Sequence, residues 1–277
     1  MFALLSAVGF GVSDFAGGLA ARRVHALRVV LLSYPVTMVL LSAAAVVVGG
    51  PIGAATVAWG SAGGVALALG GWWFYAALGS GPISVVSPLS AVLAAGVPVA
   101  VGLVTGERPS AVATVGIVLA LVAVILVSRE VSDADVRPHR FTAKVAFLTV
   151  GSGVAFGLNF VFIDRTPAES GLWPLMFARI AAAVLVIAFA AAIRDLRFPA
   201  GTPMKLAFVA SLLDTGGNIA MLLALRIAPL SLASVLISLY PVVTVVLAIA
   251  VLRERAHRWQ VVGLVLALLA VVAITGG

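Results

Sequence analysis

Three ionisable residues lie deep within long apolar stretches of this chain: Asp14, Arg179 and Asp214. An ionised side chain at the centre of a bilayer costs about 2.5–3.5 kcal/mol on insertion scales, so such residues are functional candidates by default. The two aspartates could exchange protons, and the arginine could bind a substrate carboxylate or phosphate. Two structural alternatives stay open: Arg179 could simply pair with an aspartate, and Asp14 could hydrate near the basic end of its helix.

Further polar and aromatic residues accompany these charges. Asn218 follows Asp214 by one helical turn and therefore shares its face. The other candidates for substrate binding are Asn159, Tyr34, Tyr240, Trp72, Trp73 and Tyr75. Tyr34 and Tyr240 lie inside apolar stretches, where a hydroxyl needs a partner or a ligand. Trp72, Trp73 and Tyr75 lie near a helix end, where such residues commonly anchor the helix at the membrane interface.

Other kinds of site chemistry have little support. The chain has no cysteine, which excludes disulfides and cysteine-ligated metals. It has no phosphate-binding glycine loop with a lysine, and its three histidines are scattered among loops. Asp133 and Asp135 form only a weak acidic pair in a polar linker. We therefore predict no catalytic residue, no metal, no cofactor and no enzymatic activity.

Composition assigns the chain to the membrane proteins. Of its 277 residues, 63% are hydrophobic and 10% are charged, whereas about a quarter of the residues of a soluble domain are charged. We expect a multi-pass protein of the plasma (inner) membrane, with the lipid bilayer as its surroundings. The net charge of +7 comes mainly from short basic loops, which report membrane orientation and not nucleic-acid binding. The apolar start of the chain is interpreted as a first helix and not as a signal peptide.

A membrane-spanning helix needs about 20 apolar residues, and the chain divides into ten such segments. They are Phe2–Ala21, Leu27–Val48, Ala54–Leu78, Ile83–Val104, Ser110–Ser128, Ala143–Ile163, Gly171–Ile193, Met204–Leu225, Ser231–Leu252 and Trp259–Thr275. A polar linker, residues 129–142, separates the first five from the last five. These runs are too long and too continuously apolar for barrel strands, so the predicted fold class is all-α.

The chain also repeats itself. Tyr75 to Val127 aligns without a gap on Leu222 to Ile274, and the alignment pairs prolines, serines, a Glu-Arg dipeptide and a glycine. We predict two five-helix repeats, residues 1–128 and 143–277. Because five spans is an odd number, the second repeat must be inverted relative to the first.

The loops give the orientation, and small residues indicate how the helices pack. The loops on one side hold only three basic residues, Arg108, Arg165 and Arg226, and all other basic loops lie opposite. The positive-inside rule makes the more basic side cytoplasmic, so both termini would face away from the cytoplasm. Small residues recur every fourth position at Gly9, Ser13 and Gly17, and again at Gly153 and Gly157, which predicts close helix contacts. Prolines inside spans, among them Pro241, predict bends.

The repeated segments carry a family pattern. The first half holds Pro82-Ile83-Ser84, Glu107-Arg108 and Gly116, and the second holds Pro229-Leu230-Ser231, Glu254-Arg255 and Gly263. Over essentially its whole length, the chain resembles the EamA-type drug/metabolite transporters, and Arg179 matches an arginine often found in that family. The resemblance implies a ten-helix transporter of small metabolites or drugs that works by alternating access. In related four-helix multidrug exporters an acid in the first helix couples protons; Asp14 lies in a similar helix, but Phe160 occupies the approximate partner position.

We therefore predict a secondary transporter of a small metabolite, an amino acid or a similar polar compound, working in the direction of export. Asp14 and Asp214 are the candidates for proton coupling. The alternatives are a proton-coupled multidrug exporter, an integral-membrane enzyme acting on lipid-linked substrates, and a membrane scaffold or sensor. The sequence leaves open whether the protein is a monomer or a homodimer.

Overall fold

The structure, a computed structural model, describes residues 1–21, 23–78, 80, 83–127, 142–252 and 258–276, apart from the side chains of residues 75, 78, 83–85, 87 and 88. This part of the chain forms eleven α-helices and one short 3-10 turn, Ala168–Ser170, with no strand. The helices are α1 (Phe2–Ala21), α2 (Ala26–Val48), α3 (Ala54–Leu78), α4 (Ile83–Val104), α5 (Ala111–Val127), α6 (Ala143–Asp164), α7 (Trp173–Ala192), α8 (Thr202–Ile227), α9 (Leu230–Ile237), α10 (Tyr240–Leu252) and α11 (Arg258–Gly276).

These helices are what an apolar chain forms in lipid, where every backbone N–H and C=O group must find its partner within the segment. Among the described residues, eight spans are long and apolar enough to cross a membrane, and Leu89–Val104 and Ala111–Val127 are shorter apolar helices. The all-α, multi-pass class predicted from the sequence is confirmed. Nine of the ten predicted segments correspond to one helix each, with ends that agree within about two residues where both are described.

The ninth predicted segment, Ser231–Leu252, is not one continuous helix. It divides into α9 and α10, and Ser238 and Leu239 form the break between them. The physical cause is Pro241, which has no N–H to donate to the Ile237 carbonyl and whose ring crowds that carbonyl. The backbone tightens there, and the Leu239 N–H reaches the Leu236 carbonyl at 3.3 Å instead of a carbonyl one full turn back.

The chain folds into two compact units, and each takes segments from both halves of the sequence. The first unit comprises Met1–Ala68 and Phe162–Ile227. In it, α1 packs along α8, and α2 packs against both α7 and α8. The α1–α8 contact is close because small residues meet there: a Cβ on Gly9 would lie 3.0 Å from the Gly217 Cα.

The second unit comprises Leu69–Val161 and Ala228–Gly277. Its helix α5 packs along α11 and contacts α4 and α9. The predicted close contacts at Gly153 and Gly157 are confirmed, because a Cβ on either would collide with residues of α4. The prediction at Gly17 is wrong, since nothing in the described chain lies within 4 Å of the position of its Cβ.

Matching residues of the two halves make matching contacts inside these units. A Cβ on Gly217 would lie 2.8 Å from the Phe10 ring, and a Cβ on Gly70 would lie 2.8 Å from the Phe156 ring. Between α5 and α11 the contacts are reciprocal. A Cβ on Gly116 would approach Ile274 to 2.7 Å, and one on Gly263 would approach Val127 to 2.8 Å. Each glycine is near the start of its own helix and meets the end of the other, so α5 and α11 are antiparallel.

Candidate functional site

The first compact unit holds a buried ion pair between α7 and α8. Nη2 of Arg179 donates to Oδ2 of Asp214 at 2.6 Å. The Arg179 side chain is 5% exposed and that of Asp214 is 24% exposed. Both lie well inside helices of membrane-spanning length, so the pair is out of bulk water and each charge depends on its partner. The sequence left open whether Arg179 pairs with Asp14 or with Asp214. In the structure its direct contact is with Asp214.

Tyr34 of α2 packs against the arginine of this pair. The guanidinium carbon of Arg179 lies 5.2 Å from the centroid of the Tyr34 ring, within the range of a cation–π interaction. Three residues later on α2, the buried Thr37 hydroxyl donates to the Ser211 carbonyl of α8 at 3.4 Å. This bond between the helices holds the Tyr34 segment of α2 against α8, and α8 carries Asp214.

Asp14 is positioned by hydrogen bonds that join α1 to α8. The Ser6 hydroxyl donates to the Gly217 carbonyl at 2.8 Å, and the Ser13 hydroxyl donates to the Ala210 carbonyl at 2.9 Å. Asp14 directly follows Ser13 and is exposed, and it lies near enough to Asp214 for their charges to interact. Its carboxyl forms neither an ion pair nor a hydrogen bond with any residue that the structure describes.

Asn218 lies on the same face of α8 as Asp214, as its spacing predicts. Its side-chain amide donates to the backbone carbonyl of Asp214 at 2.7 Å, and the residue is 7% exposed. The amide therefore supports the turn that carries the aspartate. Asp14, Tyr34, Arg179, Asp214 and Asn218 all belong to the first compact unit. Together they form a polar site, termed here the charge cluster, with two carboxyl groups and one guanidinium.

The other predicted site residues belong to the second compact unit. Asn159 is buried in α6, and Tyr240 is partly buried at the first position of α10. Trp72 is 50% exposed, as expected for an interfacial anchor. The Trp73 ring lies 6.1 Å from the Phe147 ring and is thus a packing residue of this unit. Tyr75 is in α3, but its side chain lies outside the described part of the structure.

Sequence reasoning missed the serines and the threonine that position the charge cluster. Ser6 and Ser13 are seven residues apart, a spacing that places them on one face of α1. That spacing was the available signal, but small residues on a membrane helix indicate close packing as readily as hydrogen bonding. Among the described residues, no group of three or more His, Cys, Asp or Glu side chains could hold a metal ion.

The second repeat of the chain matches a known protein family. Residues 143–276 match the EamA-like transporter family. The resemblance inferred from the repeated Pro, Ser, Glu-Arg and Gly positions is thereby confirmed. The proteins of this family are membrane transporters of the drug/metabolite transporter superfamily, and the charge cluster lies partly on α7 and α8, within the matched residues.

Comparison with solved structures supports the fold. A crystal structure, described only as that of a protein, superposes with a TM-score of 0.75 at 15% sequence identity. The superposition covers 98% of this chain and 96% of the other. At this identity the match supports the fold alone. Among curated proteins, none matches this sequence.

Proposed function

We propose that this EamA-like chain is a secondary transporter of the plasma membrane that exports a small polar metabolite, an amino acid or a similar compound, by alternating access. We further propose that it has ten spans in two inverted repeats, with α9 and α10 forming one interrupted span. The reciprocal contacts of Gly116 and Gly263 support this arrangement, because two antiparallel helices with reciprocal contacts are related by a local two-fold axis. Inverted repeats place the substrate near the middle of the bilayer.

The observation that carries this proposal is the charge cluster. Stability alone does not explain an arginine–aspartate pair inside membrane-spanning helices, because burying charge is costly and a pair of hydrophobic residues is often as stable. A guanidinium has five N–H donors, so Arg179 can hold Asp214 and a substrate carboxylate together. The exposed Asp14 is suited to an ammonium group. An amino acid carries both groups, which matches the cluster.

Counterflow in proteoliposomes tests the proposal. Vesicles loaded with an unlabelled amino acid should accumulate its labelled form, and Asp14→Asn and Arg179→Lys should each lower the initial rate about tenfold, the effect of losing ~1.4 kcal/mol of binding free energy. The matched control is Glu169→Gln, an exposed acid in the 3-10 turn that should leave the rate unchanged. Normal counterflow in folded Asp14→Asn and Arg179→Lys proteins would contradict the site assignment.

Exchanging the charges separates a substrate role from a structural one. In the double variant Arg179→Asp with Asp214→Arg, an ion pair can form again but with reversed polarity. We expect folding to recover and transport to stay low, because a substrate carboxylate would then meet the wrong charge. Recovery of both stability and transport would show that the pair is structural and that the substrate binds elsewhere.

Asp14 favours one second candidate, a proton-coupled multidrug exporter. Its carboxyl is exposed and makes no ion pair with the described residues, so it can take up a proton or a hydrophobic cation. In this case an imposed pH gradient should drive transport of a hydrophobic cation in the wild type, and Asp14→Asn should abolish the response to the gradient. A wild-type protein that ignores the gradient would exclude this candidate.

A further inference from the structure

The first compact unit has an apolar groove whose lining shares no residue with the charge cluster. Its volume is about 370 Å³, and side chains of α2 between Leu31 and Leu40 line one wall. Phe198, from the connection between α7 and α8, and Phe208, from the first turns of α8, complete the lining. All the lining residues are apolar. A metabolite site needs a few polar groups that fix the orientation of its ligand, and this groove supplies none.

Basic residues surround one end of this groove. Arg28 precedes the groove residue Leu31 by one turn, Arg197 directly precedes Phe198, and Lys205 precedes Phe208 by one turn. Contacts bring these segments together. Nη2 of Arg28 donates to Asp195 at 3.2 Å, and Val29 of α2 is buried in a cluster with Ala207 of α8.

Charge at this end is only partly balanced. Asp195 is paired with Arg28, whereas Arg197 and Lys205 are exposed. The Nε atom of Arg28 is buried and has no hydrogen-bond partner among the described residues. Arg194, also exposed, has a φ of 56° just after α7, where glycine is the usual residue. The groove thus ends at a cationic surface with an unused donor.

We propose that this groove binds an anionic phospholipid. One acyl chain lies along α2 between Leu31 and Leu40, and the phosphate lies at the basic end near Arg28, Arg197 and Lys205. Inside a bilayer, apolar surface alone gives no preference, because lipid tails are as apolar as leucine. The choice of lipid therefore comes from the headgroup charge, as in other basic pockets between membrane helices. The lipid would lie against α2, the helix that carries Tyr34 of the charge cluster.

Native mass spectrometry of the purified full-length protein tests this proposal without any transport assay. The protein is mixed with equal amounts of dioleoyl phosphatidylglycerol and dioleoyl phosphatidylcholine, which differ in headgroup charge and share their chains. We expect retention of phosphatidylglycerol over phosphatidylcholine. Arg197→Gln and Lys205→Gln should each reduce that preference roughly fivefold, since a basic residue near an anionic surface is worth ~1 kcal/mol. Arg165→Gln, directly after α6 and also exposed, is the charge control and should change nothing.

A second pair of variants tests the groove itself. Val39→Trp fills the groove from a position that is 61% exposed, whereas Val184→Trp adds the same bulk on α7, at a position that is 58% exposed and outside the groove. We expect Val39→Trp to lose bound phosphatidylglycerol and Val184→Trp to keep it. Equal retention of the two lipids by the wild type would overturn the proposal, as would equal losses in the test and control variants. Because lipid retention is measured apart from transport, its failure would leave the transporter proposal untouched.

Discussion

Two arginine–aspartate pairs in the first compact unit differ mainly in their surroundings. Arg179–Asp214 has side chains that are 5% and 24% exposed, whereas Arg28–Asp195 has side chains that are 30% and 27% exposed. Removing one partner of a buried pair leaves an uncompensated charge and costs about 3–5 kcal/mol. Arg28–Asp195 is only half-buried, so water screens it more, and removing one partner should cost up to about 1 kcal/mol.

We therefore expect Arg179→Ala to lower the free energy of unfolding by about 3–5 kcal/mol, measured by unfolding in mixed micelles. Asp195→Ala is the matched control and should cost up to ~1 kcal/mol. The double variant Arg179→Ala with Asp214→Ala should recover part of the loss, because it leaves no unpaired carboxylate. Equal losses at the two pairs would mean that the Arg179 site is well hydrated.

For individual residues, the sequence identifies the ionisable side chains inside the apolar segments but not the residues that they contact. Asp14, Arg179 and Asp214 stand out because a charge in a long apolar run has few explanations. The pairing with Asp214 and the stacking of Tyr34 on Arg179 depend on how α2, α7 and α8 rotate about their axes. That rotation follows from side-chain packing, and the alanine-rich and valine-rich faces of this chain specify it only weakly.

Among the elements, α3 offers a direct test of close helix packing. A Cβ on Gly64 would overlap the carbonyl of Ala178 on α7, whereas nothing in the described chain lies within 4 Å of a Cβ on Gly71, in the same helix. Gly64→Ala should therefore force α3 and α7 apart and cost about 1–3 kcal/mol. Gly71→Ala should be neutral or stabilise the helix by roughly 0.5–1 kcal/mol. Thermal unfolding of the two variants measures the contrast, and equal melting temperatures would contradict it.

A second element depends on a single acid. The Glu107 carboxylate accepts the backbone N–H groups of Leu230 at 2.6 Å and Ser231 at 3.0 Å, at the first turn of α9. An acid at this place satisfies N–H groups that have no partner within the helix and complements the helix dipole. Glu107→Ala should cost about 1–2 kcal/mol of stability, measured by thermal unfolding, whereas the exposed Glu169→Ala should cost much less. A similar loss in both variants would show that the cap contributes little.

The helices themselves were largely predictable, since length, hydropathy and flanking polar residues determine where each one starts and ends. The break between α9 and α10 was not predicted, although Pro241 is plain in the sequence. A proline in a membrane helix can produce a bend or an interruption, and the local packing decides between the two. The role of Glu107 was also invisible, because the residue it caps is more than a hundred positions away in the sequence.

At the scale of the whole molecule, the inverted-repeat proposal predicts membrane sidedness. Arg108, just before α5, and Arg258, at the start of α11, lie at the corresponding ends of these two helices and are both exposed. The chain has no cysteine of its own, so Arg108→Cys and Arg258→Cys are single-cysteine proteins. A membrane-impermeant maleimide should label them from opposite faces, with Arg258→Cys labelled from the cytoplasmic face. Labelling of both from one face would mean that the repeats are parallel.

The contact made by Glu107 also constrains how the second unit can move. Helix α9 packs against α4 and α5, and Glu107, in the connection between those two helices, is tied to the first turn of α9. We therefore expect α9 to move together with α4 and α5. We expect any bending to occur at Ser238 and Leu239, where the helix is interrupted. Motion of α10 relative to α4, α5 and α9 would then be a rotation about those two residues.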